Sequence, residues 1–323
     1  MIKTITRLSF ALAITISATS LVAEETLKIA AQEGGTVNWE LNTIMNSGFD
    51  TANGYTLEAV PVSMGPAGKI SFQGGETDIM VSDWIWVASQ RAEGNDYRFI
   101  PYSTSVGALM VKADAGINSL ADLKGKKIGI AGGPLDKSWL LLQAYAQQTE
   151  GLDLAVETEQ VFGAPPLIFG AALKGDVDAA INFWHFQAKM AAAGMVELQS
   201  IGSASEALGL DPKTPLLGYV VKGEDVDARP ELYAEFAQSS KDAKSLLASD
   251  STAWDAIREI MNAKDDAQFE ALKAGFIAGI PSNDPIDEEA ADRMLQLMAK
   301  LGGEDLVGKA TTLPEGTFYK YGN

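Results

Sequence analysis

The chain has 323 residues, no cysteine, one histidine and a formal net charge of −18. A chain of this length buries a sizeable core and tends to divide into two lobes. The lack of cysteine excludes disulfides, thiol chemistry and thiolate metal sites, and the acidic excess argues against nucleic acid or anionic lipid as a partner.

Residues 1–23 begin with Lys3 and Arg7, continue through an apolar stretch at residues 8–16, and end in Leu21-Val22-Ala23. That order of basic, apolar and small-residue regions predicts a secretory signal peptide. The apolar stretch is too short and too rich in Ser and Thr for a membrane span. Removing it takes away two basic residues and no acid, which deepens the negative charge by two. With no cysteine behind the signal to carry a lipid anchor, the expected location is the periplasm.

Strands and helices alternate along the rest of the chain, as in an α/β protein. Residues 26–31 read as a strand ending in Gln32-Glu33-Gly34-Gly35, followed by a helix over 36–51 and a strand over 55–62. A Met64-Gly65-Pro66 turn opens a helix through Phe72. Further strands are expected at 78–81, 98–101 and 106–112, with a helix at 83–92 between the first two. Ser119 and Asp122 have the spacing of a capping box, and a strand follows at 127–131. The pattern then repeats, with helices over 134–148 and 164–173 and strands at 157–161 and 178–183. Beyond a strand at 216–221, four amphipathic helices are expected at 230–247, 253–261, 267–278 and 286–301.

Several of these segments resemble a known family. Gly107-Ala-Leu-Met-Val-Lys112, followed by Gly116-Ile-Asn-Ser-Leu-Ala-Asp-Leu-Lys-Gly-Lys-Lys-Ile-Gly-Ile130, is similar to the midsection of the nitrate/sulfonate/taurine group of periplasmic binding proteins. Ala171-Ala-Leu-Lys-Gly-Asp-Val-Asp-Ala-Ala180 and residues 211–235 resemble later passages of the same group. The resemblance implies a two-lobed type II binding-protein fold, each lobe a mixed sheet flanked by helices, with a ligand cleft between. Lobe 1 is expected from residues 24–102 and 223–323, and lobe 2 from 103–222, with crossovers near 102–106 and 221–225. The resemblance also implies a monomer that takes up a small-molecule ligand and delivers it to an inner-membrane ABC permease with its ATPase.

Ligands in such folds gather where strands end and helices begin, because helix N-termini offer free N–H groups. Four segments qualify. The first holds Gln32, Glu33, Thr36 and Trp39. Trp39 lies on the polar side of its helix, opposite Val37, Leu41 and Ile44, which suits either ligand stacking or packing between lobes. The second holds Ser82, Asp83 and Trp84, where Ser82 or Asp83 serves equally well as a plain helix cap, and Trp86 reads as core. The third is the turn Gly132-Gly133 with Asp136, which matches no phosphate-binding motif. The fourth is Phe183, Trp184 and His185. Trp39, Trp84 and Trp184 are expected to converge as an aromatic enclosure with Glu33 or Asp83 as charge partner. Aromatic walls with carboxylates favour a cationic or heteroaromatic solute over a sulfonate or nitrate.

An enzyme is the rival class. One histidine and no cysteine leave neither a nucleophile–base pair nor a clustered metal site, so no catalytic residue, metal or cofactor is assigned. A carboxylate-based enzyme remains open, because no spacing singles out or excludes an acid pair. A thiamin-pyrimidine synthase on the same fold would need a cysteine- and histidine-rich motif that this chain lacks. A periplasmic sensor partner has the same sequence signature as an importer component. The acidic run at 283–289 lacks EF-hand spacing and reads as a capped helix start.

Overall fold

The computed structural model describes residues 25–63 and 65–320. The expected signal peptide, and Met64 of the expected turn, lie outside the described residues.

The first lobe is built from β1 (Glu25–Gln32), α1 (Val37–Ser47), α2 (Phe49–Ala52), β2 (Tyr55–Val62), α3 (Gly65–Gln73), β3 (Ile79–Asp83), α4 (Trp84–Ala92) and β4 (Tyr97–Ser103). The chain then enters the second lobe through β5 (Ala108–Lys112) and β6 (Lys127–Ala131). There follow α5 (Lys137–Glu150), α6 (Leu154–Glu157), β7 (Glu159–Gly163), α7 (Pro165–Lys174), β8 (Ala179–Ile181), α8 (Trp184–Ala192), β9 (Met195–Ser200) and α9 (Ile201–Ala207). It returns in β10 (Leu217–Lys222), and α10 (Gly223–Ala228), α11 (Pro230–Ser249), α12 (Asp266–Ala278) and α13 (Glu288–Val307) complete the fold.

The two sheets share one plan. Their strand orders are β2-β1-β3-β10-β4 and β7-β6-β8-β5-β9. In each, three strands run parallel and the crossing strand, β10 or β5, pairs antiparallel on both sides. The period of two along β1 sends Leu27, Ile29 and Ala31 into one core and Ala30 into the other.

The return crossover differs from expectation. Leu217–Lys222 is an inner strand of the first sheet, so the chain crosses back within residues 208–216 rather than near 221–225. The apolar run at 217–221 marks a strand buried on both faces, and that pattern is blind to which sheet receives it. The helix expected at 253–261 is two short 3-10 stretches, Ser251–Ile257 and Glu259–Met261. Asp250 caps the first through the Thr252 N–H at 2.8 Å, and the buried Trp254 indole donates to the Leu247 carbonyl at 2.8 Å. The last long helix starts later than 286, because Asp287 supplies its cap to the Ala290 N–H at 3.0 Å. The Ser119–Asp122 box forms as expected, with Asp122 accepting from the Ser119 N–H at 3.0 Å.

The C-terminal helices join the lobes. α12 lies on α8, and α13 packs on α4 of the first lobe and α5 of the second. Behind them α11 covers α1 through a buried charge network. Glu40, fully buried, accepts from the Tyr219 hydroxyl at 2.7 Å and the Ser240 hydroxyl at 2.5 Å, and pairs with Lys244 at 2.6 Å. Burial holds the Lys244 ammonium below the usual lysine range, and the Glu40 carboxylate opposes that shift.

Removing one member of such a pair leaves the other charge buried alone, at a cost of about 3–5 kcal/mol. Lys244→Met is therefore expected to lower the urea midpoint steeply. Glu40→Gln combined with Lys244→Met should recover more than half of the loss, because Gln still accepts from Tyr219 and Ser240. Equal midpoints for the single and double variants would refute the pair's role.

Candidate functional site

Of the four strand-to-helix turns, the one after β3 and the one after β6 are joined directly, through Asp83 and Lys137. At the end of β1 the Gly35 N–H and the Asn38 amide both donate to the Gln32 carbonyl, at 2.9 and 2.7 Å. Gln32 and Glu33 are exposed at this turn. Thr36 is buried and its hydroxyl oxygen accepts from Tyr102 at 3.3 Å. In the second turn, one oxygen of Asp83 accepts from the Trp86 N–H at 2.9 Å and caps α4. The other oxygen meets the Lys137 ammonium at 3.0 Å.

That ion pair crosses from one lobe to the other. Lys137 is the first residue of α5, whose cap is Asp136 accepting from the Trp139 N–H at 3.0 Å. Burial pushes the Asp136 carboxyl up, against the pull of its cap and of Lys137. Asp83 responds the other way. Burial again favours the neutral acid, but Lys137, the Trp86 N–H and Lys69 together hold it below the usual carboxylate range. Lys69, on α3, is half-buried with its ammonium 4.6 Å from the Trp86 ring centroid. Its pKa is lowered by burial and by Lys137, and raised by Asp83. No hydrogen bond or ion pair engages this ammonium among the described residues.

The third turn brings the Gly132 N–H to the Gly163 carbonyl at 2.8 Å and the Asp136 N–H to the Gly133 carbonyl at 2.9 Å. In the fourth, Asn182 braces both sides, donating to the Pro165 carbonyl and accepting from the Phe183 N–H, each at 2.8 Å. Phe183 is 42 % exposed and stands 6.2 Å from the His185 ring. Burial, with Lys189 nearby, brings the His185 pKa down to about 4.

The expected enclosure of three tryptophans does not form. Trp84 is fully buried inside the first lobe against Phe318, at 5.7 Å between ring centroids. Trp39 and Trp184 do meet, edge to face at 5.8 Å, but both are committed to packing. Trp39 also touches Trp254 and Phe276, at 6.4 and 6.0 Å. A Cβ on Gly275 of α12 would lie 2.8 Å from the Trp184 ring, so this glycine makes the seat. The polar face of α1 is a false reading because α11, α12 and the 251–261 segment cover it, burying Trp39, Glu40 and Thr43 beside Leu41 and Ile44. Ser82 is buried at the end of β3.

Lys69 and Lys137 are the residues the sequence reading passes over. One signal was available for Lys137: a cation in the first turn of a helix opposes the helix dipole, so its place there calls for a negative partner from elsewhere in the chain.

Comparison with known proteins bears on this arrangement. The family model described as NMT1/THI5 like matches residues 72–251. The chain belongs to that family. No curated protein matches it by sequence. Among solved structures it is similar to the alkanesulfonate-binding protein SsuA from Xanthomonas axonopodis pv. citri bound to MOPS, with 18 % identity, a TM-score of 0.69, and 92 % of this chain and 99 % of that one covered. It is also similar to the periplasmic aliphatic sulphonate binding protein SsuA from Escherichia coli, with 17 % identity, a TM-score of 0.68, and coverage of 90 % and 98 %. A third likeness is to DszB in complex with biphenyl-2-sulfinic acid, with 17 % identity, a TM-score of 0.59, and coverage of 91 % and 98 %. At these identities the likeness speaks for the fold, the two-lobed α/β architecture of periplasmic binding proteins.

Two outcomes follow from the packing. Trp39→Ala and Trp84→Ala are each expected to cost roughly 3–5 kcal/mol of stability, measured by chemical unfolding, as for other buried tryptophans. A loss below about 1 kcal/mol would contradict the core assignment. For His185 the folded pKa of about 4 lies below the ordinary 6.5, so the unfolded chain takes up a proton first. Its contribution to stability is complete above pH 6.5 and is lost as the pH falls toward 4. His185→Gln should therefore lose less melting temperature than the wild type between those pH values, and parallel losses would argue against it.

Proposed function

We propose that the protein is the solute-binding component of an ABC importer and closes its two lobes on a small organic anion. Family membership and the two-lobed fold support the general role. The charge of the ligand rests on one observation, the Lys69–Asp83–Lys137 cluster at the junction of the lobes. Two ammonium groups lie near the Asp83 carboxylate there, with the Asp136 carboxylate at the cap of α5, beside the N-termini of α4 and α5, whose dipoles add positive potential. Glu33 is exposed and Asp136 is occupied in capping, so neither is committed to a cationic guest. The tryptophans that suit a cation are core residues. The earlier preference for a cationic or heteroaromatic solute therefore gives way to an anion, with a sulfonate or carboxylate head as the favoured class.

In this reading the candidate contacts are Lys69, Asp83 and Lys137, with Gln32, Gly132, Gly133 and Phe183 at the edges of the same junction. Residues 1–23 direct export to the periplasm. The mature chain acts as a monomer, performs no chemistry, and passes its solute to an inner-membrane permease with its ATPase. The alkanesulfonate- and sulphonate-binding titles of the SsuA structures agree with this ligand class.

A calorimetric titration series tests it, using methanesulfonate, acetate and choline as probes. At least one anion should bind, and at 100 times its dissociation constant it should add about 2.7 kcal/mol of stability. Lys137→Met should weaken that binding by about tenfold, or about 1.4 kcal/mol. Binding of choline with no response to either anion would overturn the proposal.

A further inference from the structure

The lobes touch in several ways, and one contact is unlike the rest. Trp184 and α13 join them through apolar packing, and the Lys189 ammonium of α8 reaches the Asn262 carbonyl at 3.0 Å. Among the described residues, Asp83–Lys137 is the one ion pair with a member in each lobe. Asp83 ends β3 and accepts from the Trp86 N–H with one oxygen, which leaves the other for Lys137, the first residue of α5. A carboxylate already held by its cap loses little freedom when it pairs.

The place of the pair matters as much as its charge. Leu217 stands opposite both Asp83 and Ser103 in the first sheet. The chain leaves this lobe after Ser103 and is back in it at Leu217. Asp83 therefore sits beside the strand that begins at the return connection and two strands from the exit. Rotation of one lobe about these connections separates Asp83 from Lys137 while each sheet keeps its shape.

The neighbouring charges cannot stand in for the pair. Asp136 attracts Lys137 but caps α5 in the same lobe, and Lys69 attracts Asp83 from within the first lobe. Glu33 is exposed on its turn, and His185 is neutral at pH 7.

We propose that the Asp83–Lys137 pair is a latch that keeps the lobes joined when no solute is bound and sets how often they part. The inference rests on the lobe movement of the preceding subsection and is independent of the charge of the solute. The pair is partly exposed, so its effect is moderate.

The chain has no cysteine of its own, which permits a direct test. Gln73→Cys and Lys174→Cys, at the exposed ends of α3 and α7, carry a dye pair that reports the separation of the lobes. Single-molecule energy transfer is recorded without solute for this labelled chain and for the same chain with Asp83→Asn, Lys137→Gln or both. Asparagine keeps an oxygen to cap α4, and a melting curve shows that each protein is folded. The chain with the latch intact should rest mainly in the joined state. Each single variant should shorten the joined dwell time by about fivefold or more. The double variant should shorten it no further, because the two residues act as one unit. Excursions seen in every protein with equal joined dwell times would overturn the latch and leave lobe movement standing. A latch-intact chain resting mainly apart would overturn the latch as well. One fixed transfer efficiency in all the proteins would overturn lobe movement, and the latch with it.

Discussion

The pairing of Glu40 with Lys244 fixes where α11 sits on α1. α11 is the first long helix after the chain returns to the first lobe, and the pair ties it to α1 with Tyr219 of β10 as a third party. α12 follows from that position and forms the wall against which Trp184 rests. Two opposite charges taken wholly out of water gain little net stability over an apolar pair of the same shape. What the pair contributes here is register, because only one placement of α11 brings an ammonium to the Glu40 carboxylate and a Ser240 hydroxyl with it.

The two lobes then meet through surfaces of different character. An apolar core continues from Met80 and Phe99 through Met294 and Leu295 of α13 to Leu109 and Ile128 of the second lobe. A second apolar core carries Trp184 in among Trp39, Trp254 and Phe276. Apart from these cores, two facing helix starts hold the partly exposed Asp83–Lys137 pair, and Lys69 in the middle of α3 lies against Trp86. Non-directional burial keeps the lobes associated, while the Asp83–Lys137 pair adds a directional contact between two helix starts. Positioning charges on rigid first turns keeps them from rearranging to satisfy one another.

Most of the fold was legible because its signals are local. The strand at 55–62 and the strand at 127–131 appear at the expected residues, since alternation and flanking turns define both. The Ser119–Asp122 box was equally local. What escaped depends on partners distant in sequence. Trp39 suited either ligand stacking or packing between lobes because its helix reads as half-exposed, and its contact with Trp184, under the cover of α11, α12 and the 251–261 segment, makes it packing. The return crossover was misread because a doubly buried strand carries no mark of its sheet. Two of the four candidate turns are joined across the lobes by the Asp83–Lys137 pair, and Lys69 and Lys137 were not among the residues singled out. Nothing in their immediate neighbours announces that Asp83 lies 3.0 Å from a lysine 54 positions away.

One consequence lies in the spacing of two glycines on α12. Gly275 receives the Trp184 ring, and Gly279 receives Ser103 and Ser105 of the segment that leads from β4 into the second lobe, where the Thr104 N–H donates to the Gly279 carbonyl at 2.9 Å. Residues four apart lie one above the other on a helix, so a single bare stripe touches both the second lobe and the strand that carries the chain toward it. α12 thereby works as a thickness gauge whose blade is set by the absence of two methyl groups. Any side chain at either position would act as a shim, pushing Trp184 or the Ser103–Ser105 segment away from α12. The contacts that set α12 against the second lobe and the connecting segment are thus made at glycines, apart from the Asp83–Lys137 pair.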